Sequence, residues 1–145
     1  MIRGIQCTLD APVLNFIKTI LQWPLEFYVP WCQKVDTDNK YIPGDYTDFF
    51  LCQDNLVFLE KSAIWEIVIH GYPKGHTPET LEVYEEYLHS SCQMCLIYYD
   101  CGYLDIYIKD ETRRKLAWDT LINLGAEDME WLTDENDGRT GLATH

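Results

Sequence analysis

Positive charge is what this chain has least of. Across 145 residues, 11 Lys and Arg stand against 24 Asp and Glu, a net charge of −13 with His neutral. A surface of that sign repels phosphate backbones and anionic lipid, which excludes nucleic acid and membrane surfaces as general partners. Long apolar runs are missing too. Nothing approaches the roughly 20 residues that span a bilayer, and Met1 to Asp10 lacks the apolar core of an export signal. The six cysteines are therefore expected as reduced thiols in a cytoplasmic protein, not as three disulfides. Serine is scarce. The Walker A loop, G-x-G-x-x-G, G-x-S-x-G and H-E-x-x-H do not occur, so no motif names a reaction and no cofactor is expected.

Apolar and aromatic residues are plentiful, at 47% and 14%. That is enough for one self-sufficient core, with tyrosines left over for half-buried or partner-facing positions. The acid is unevenly spread. Residues 35–70 hold two bases and seven acids, residues 71–100 one and five, and residues 125–145 one and six. Such a field keeps a protein soluble, and it also favours and steers in a basic protein partner.

Period-two alternation predicts strands over 3–9, 56–59, 64–70, 93–100, 103–109 and 129–133. Helical spacing of Val13, Phe16, Ile17, Ile20 and Leu21 after Pro12 predicts a first helix that ends at Pro24. Thr77-Pro78-Glu79 reads as the start of a second helix, running to Ser90 and burying Leu81, Tyr84 and Leu88. Asp110 caps a third that stops at Gly125. Between Leu25 and Asp54, prolines, Gly44 and a run of Asp break the pattern into short pieces, with an acidic loop over 36–48. The expected class is α+β: a mixed, mostly antiparallel sheet with about three helices packed on one face. One domain covers 1–132, and 133–145 reads as a loose polar C-terminal tail.

Three stretches, "MIRGIQCTL", "CQMCLIYYDCGYLDIYIKD" and "WLTDENDGRTGL", resemble a small uncharacterised bacterial, Bacillus-type family known as domain of unknown function 2691. The resemblance implies an intracellular bacterial protein. It implies no activity and no catalytic residues.

Four groups of residues are candidates for chemistry. His89, Cys92, Cys95 and Cys101 have the count of a structural zinc site, but the last spacing is short for a zinc module. The plainer reading is a small core thiol with incidental neighbours, so no metal is expected. Alternation puts Tyr103, Asp105 and Tyr107 on one face of their strand and Glu66 with His70 on one face of theirs. If the two rows converge, carboxylates beside an imidazole suit general acid–base work. The plainer reading is the solvated outer face of a half-buried sheet. The "TDENDGRT" block fails the calcium-loop pattern and reads as an Asp-Gly turn, with Asp137, Arg139 and Thr140 kept as binding candidates. Arg113-Arg114-Lys115 reads as a solvated helix face or a grip on an anion.

The reading that fits best is a non-catalytic, cytoplasmic protein-binding module. It would engage a basic partner through an acidic, Tyr-rich surface that includes Tyr103 and Tyr107, and an inhibitor or immunity-like protein is one concrete form. The alternatives are a small enzyme or ligand binder that uses Glu66, His70 and Asp105, and a zinc-stabilised domain. Oligomeric state is not legible.

Overall fold

Apolar residues two apart build the strands, and apolar residues three or four apart build the helices. The computed structural model describes residues 1–35, 48–56, 63–100, 102–139 and 141–142. Its elements run β1 (Ile2–Thr8), α1 (Val13–Ile20), β2 (Glu26–Val35), β3 (Phe49–Leu51), β4 (Ala63–Tyr72), α2 (Tyr84–His89), β5 (Met94–Tyr99), β6 (Tyr103–Ile108), α3 (Glu111–Asn123) and β7 (Glu127–Thr133). The strands form one sheet in the order β3-β2-β4-β5-β6-β1-β7. Every described pairing is antiparallel, so the mixed sheet of the expectation is an antiparallel one and the class is α+β. Among the described residues no helix is long and apolar enough to cross a membrane. Of the expected 56–59 strand and 36–48 loop, residues 57–59 and 36–47 lie outside the described residues, as do Cys101 and Thr140.

The first face of the sheet holds the larger core. Ile5, Cys7, Phe27, Ile67, Ile69, Leu96, Leu104 and Ile106 pack against Val13, Phe16, Ile17 and Ile20 of α1 and Ala117 and Leu121 of α3. Both ends of α3 are chemically specified. Asp110 accepts the Arg113 N–H at 2.8 Å, satisfying a first-turn donor. Gly125, at φ +84, closes the other end. Its N–H donates to Ile122 O and that of Ala126 to Leu121 O, both at 3.0 Å, the paired bonds of a Schellman cap.

The second face corrects three expectations. It is covered, not solvated. Val68, Cys95, Ile97, Tyr107 and Leu132 pack under Tyr84 and Tyr87 of α2 and under Leu142, so helices lie on both faces. The predicted helix from Thr77 to Ser90 begins only at Tyr84. Ahead of it the backbone bonds elsewhere: Glu79 N–H donates to the Tyr72 hydroxyl at 3.1 Å, and Leu142 N–H donates to Glu82 O at 3.0 Å. Leu88, expected inside, is exposed, and Tyr87 takes the inward place. Part of the polar tail is packed as well, although residues 134–136 are exposed. Val83 bridges Gly141, and Leu142 is 2% exposed.

The unreadable stretch after Leu25 contains a ten-residue strand. Proline cannot donate to a ladder and is confined to edges or bulges. Here Pro30 lies inside β2, where the register with β4 shifts between Tyr28 and Trp31. Phe27 and Val29 before the irregularity, and Cys32 after it, all face the first core. The step in facing sends both Tyr28 and Trp31 to the second face.

Gly4 of β1 lies so close to β6 that an added Cβ would sit 2.0 Å from Ile106 O and 2.9 Å from Tyr107 Cα. Both are backbone atoms, so relief requires parting two strands. Gly4→Ala is expected to lower stability by about 1–3 kcal/mol, the range for an overpacked interior, read as a fall in thermal midpoint by circular dichroism. Gly138→Ala, with nothing within 4 Å of the new carbon, is the matched control and is expected to leave the midpoint nearly unchanged.

Candidate functional site

Hollows lie on the second face among the described residues, and one of them is lined by what pins the C-terminal segment to the sheet. The pin is Asp105 of β6, only 2% exposed. Its Oδ2 accepts Arg139 Nη2 at 2.9 Å and Nε at 3.1 Å, and its Oδ1 accepts Gln6 Nε2 at 3.1 Å. Burial pushes the Asp105 carboxyl above the usual carboxylate range, while Gln6 and Arg139 pull it back. A second arm runs through Asp137, which accepts the Tyr107 hydroxyl at 2.9 Å, Arg3 Nη1 at 3.3 Å and the Arg139 backbone N–H at 3.1 Å. Arg3 also donates to Asp134 at 2.9 Å, and its guanidinium lies 4.2 Å from the Tyr84 ring centre. Buried charge persists when it is paired and hydrogen-bonded, and both carboxylates meet that condition. The neighbouring hollow, about 530 Å³, is lined by Gln6, Tyr99, Asp105, Glu130, Asn136 and Arg139 among others. Its polar groups are engaged with one another, so it reads as the seam of a structural clamp.

The second hollow, about 480 Å³, lies between β2, β4 and the segment before α2. Tyr28 and Trp31 contribute aromatic walls. Asp48, Glu79 and Glu82 contribute carboxylates, and Val68, Leu81 and Leu142 contribute apolar surface. No Lys or Arg lines it among the described residues. Tyr28 donates its hydroxyl to Asp48. Burial, reinforced by that bond, pushes the phenol up to about 12. His70 also lines this hollow. It stands opposite Tyr28 on β2 and Cys95 on β5 and is 3% exposed. Among the described residues neither ring nitrogen has a hydrogen-bond partner. Burial lowers its pKa to about 4, so the ring is neutral near pH 7, with one nitrogen a donor and the other an acceptor.

The candidates from sequence are partly gathered and partly scattered. Asp105, Tyr107, Asp137 and Arg139 meet in one network, although Tyr107 is fully buried and offers nothing to a partner's surface. Tyr103 is half exposed and stacks on Tyr99 at 5.5 Å. Glu66, His70 and Asp105 do not form one cluster. β5 separates β4 from β6, a spacing of roughly 10 Å for two strand intervals, and Glu66 accepts the Trp31 indole N–H at 3.3 Å. Among the described residues the His/Cys set does not assemble either. His89 is exposed beside Glu85, while Cys92 and Cys95 are buried beneath α2. Burial pushes the Cys92 thiol up to about 12 and Cys95 up as well, disfavouring the thiolate a metal needs. Arg114 donates to Ile108 O at 2.9 Å and Lys115 pairs with Asp119. Sequence reading missed Tyr28, Trp31, Asp48, Glu79 and Glu82. Its one available signal was Pro30 within an aromatic run, which marks a bulge when the run is a strand.

Residues 2–143 match the family described as "Protein of unknown function (DUF2691)". The chain is similar to the "Uncharacterized protein YncE" of Bacillus subtilis (strain 168), 26% identical over 154 residues that cover 98% of this chain and 99% of that protein. No solved structure matches.

Two outcomes follow from this geometry. Arg139→Leu strands the Asp105 carboxylate without its cation and is expected to cost about 3–5 kcal/mol, whereas the double change Asp105→Leu with Arg139→Leu recovers most of that loss. Urea unfolding of the two variants measures the difference. The second concerns pH. The His70 pKa falls from 6.5 unfolded to about 4 folded, so between those values the unfolded chain binds a proton that the folded chain refuses. Stability is full above 6.5 and falls as pH drops toward 4. His70→Phe is expected to remove that part of the slope while being at least as stable near pH 7, since it deletes an unpartnered buried ring. Urea midpoints across the window, for both proteins, test it.

Proposed function

The chain belongs to this family of unknown function, and on that premise we propose that it acts by binding and not by catalysis, receiving a basic protein partner at the His70 hollow. The observation that carries this reading is the make-up of that hollow: three carboxylates around aromatic walls, with no Lys or Arg among its described lining residues. The net charge of −13 adds a long-range field that speeds the approach of a basic partner. An inhibitor or immunity-like protein that blocks a basic toxin is one form of this activity. Cys7, Cys92 and Cys95 are free thiols, which supports a reducing, cytoplasmic setting.

The acid–base reading has less support. A catalytic imidazole is normally oriented by a hydrogen bond to one nitrogen while the other works, and His70 has no such partner. Asp105 is committed to Arg139 and Gln6.

The test is calorimetric titration of the full chain with a mixed Lys/Arg peptide of about ten residues and with a neutral peptide of equal length. Binding of the basic peptide alone is expected, weakening as salt shortens the reach of surface charge. Glu82→Lys, a change on an exposed side chain of the rim, is expected to weaken it further without moving the thermal midpoint. Equal binding of both peptides, or binding indifferent to Glu82→Lys, overturns the reading.

A further inference from the structure

Most of the charged and polar groups described above have partners. The acidic network around Asp105 and Asp137 is satisfied internally, the cysteines are packed or unremarkable thiols, and the exposed apolar residues of α3, Leu116 and Ile122, face no defined groove. His70 differs, because two buried polar atoms on one ring are unpartnered at the lining of a hollow. Leaving a buried donor or acceptor unmade costs about 1–3 kcal/mol per group. Such a group in a folded protein calls for a specific explanation, and an exogenous partner is one.

We propose that the hollow is a guanidinium site, and that His70 is the residue that tells a guanidinium from an ammonium. The inference rests on the binding role proposed above and names the group bound. The lining selects for it on four counts. Asp48, Glu79 and Glu82 line it, with Asp48 accepting from Tyr28 and Glu79 from Ser91, and three carboxylates at one hollow favour a cation over phosphate or carboxylate ligands. Tyr28 and Trp31 offer aromatic faces, and the flat guanidinium stacks on such faces as well as attracting them electrostatically. Val68, Leu81 and Leu142 make part of the lining apolar, which favours the weakly hydrated guanidinium over the strongly hydrated ammonium. The neutral imidazole keeps one acceptor nitrogen, and the five-donor fork of a guanidinium can supply it while still reaching a carboxylate. A volume of about 480 Å³ lies within the range of small-ligand sites, roughly 300–1,000 Å³.

The arginine side chain of a protein and a free guanidino compound share this chemistry, so the experiment carries an arm for each. The full chain is titrated with a short capped arginine peptide, its lysine counterpart and agmatine, by calorimetry and by ¹⁵N NMR of the histidine ring nitrogens. The arginine peptide is expected to bind about ten-fold more tightly than the lysine peptide, shifting the His70 ring signals, with agmatine competing. His70→Phe is expected to abolish the preference. His70→Gln, which keeps an acceptor, should restore part of it. Equal affinity for the two peptides, a preference that survives His70→Phe, or unmoved His70 signals on saturation overturns the proposal. The NMR arm decides even where a variant fails to fold. Arginine and lysine peptides that bind equally leave the basic-partner reading standing and remove this one. Binding of agmatine without the arginine peptide keeps the guanidinium site, assigns it to a free compound and removes the protein partner.

Discussion

Asp105 sits on β6, near the middle of a seven-stranded sheet, with its carboxylate almost wholly withdrawn from water. A charge in that position has to be answered from within the chain, because its isolation would be far more costly than any single packing gain. Arg139 answers it from more than thirty residues away in sequence, and Gln6 answers from the neighbouring strand. The segment carrying Arg139 is thereby laid across the sheet, where Gly141 meets Val83 and Leu142 closes the smaller core. That strap lines the first hollow through Asp137, Gly138 and Arg139 and reaches the second through Leu142.

The His70 hollow depends on a second local constraint. A regular β2 would send residues 28 and 31 to opposite faces. The irregularity at Pro30 moves them to the same face, one opposite His70 and the other opposite Val68. An imide nitrogen without a hydrogen thus serves twice: it tolerates the missing ladder bond and it aims two aromatic rings at one place. Bulges recur beside binding sites for this reason.

Patterning in the sequence revealed the elements whose faces differ most. α1 and β1 were legible because each separates apolar from polar residues at a single period, whereas α3 was legible from its ends, Asp110 and Gly125. β2 was not, because its bulge breaks that period and a mid-strand proline normally argues against a strand. The helix expected from Thr77 failed for a different reason. Thr-Pro-Glu is a sound local start, but Tyr72 and Leu142 claim the backbone bonds that a first turn would need, and contacts from distant residues are invisible to local rules. The same applies to the site. Asp105 and Arg139 could be nominated singly from alternation and from an unusual block, yet their meeting is a tertiary fact. The outer face was misread as solvated because a row of Tyr, Asp and Tyr has the same alternation whether water or a strap lies above it.

The strand order has a consequence for how the molecule assembles. β1 is flanked by β6 and β7, so Gly4 pairs with Tyr107 and Ile5 with both Ile106 and Trp131, partners that a ribosome delivers about a hundred residues later. Closing loops of that length is slow, and folds dominated by such distant pairings mature on the longer end of the timescale. The β5–β6 hairpin, joined by a short turn, is the local pairing able to form early. Until it does, β1 waits as an open edge, a natural client for chaperones during synthesis.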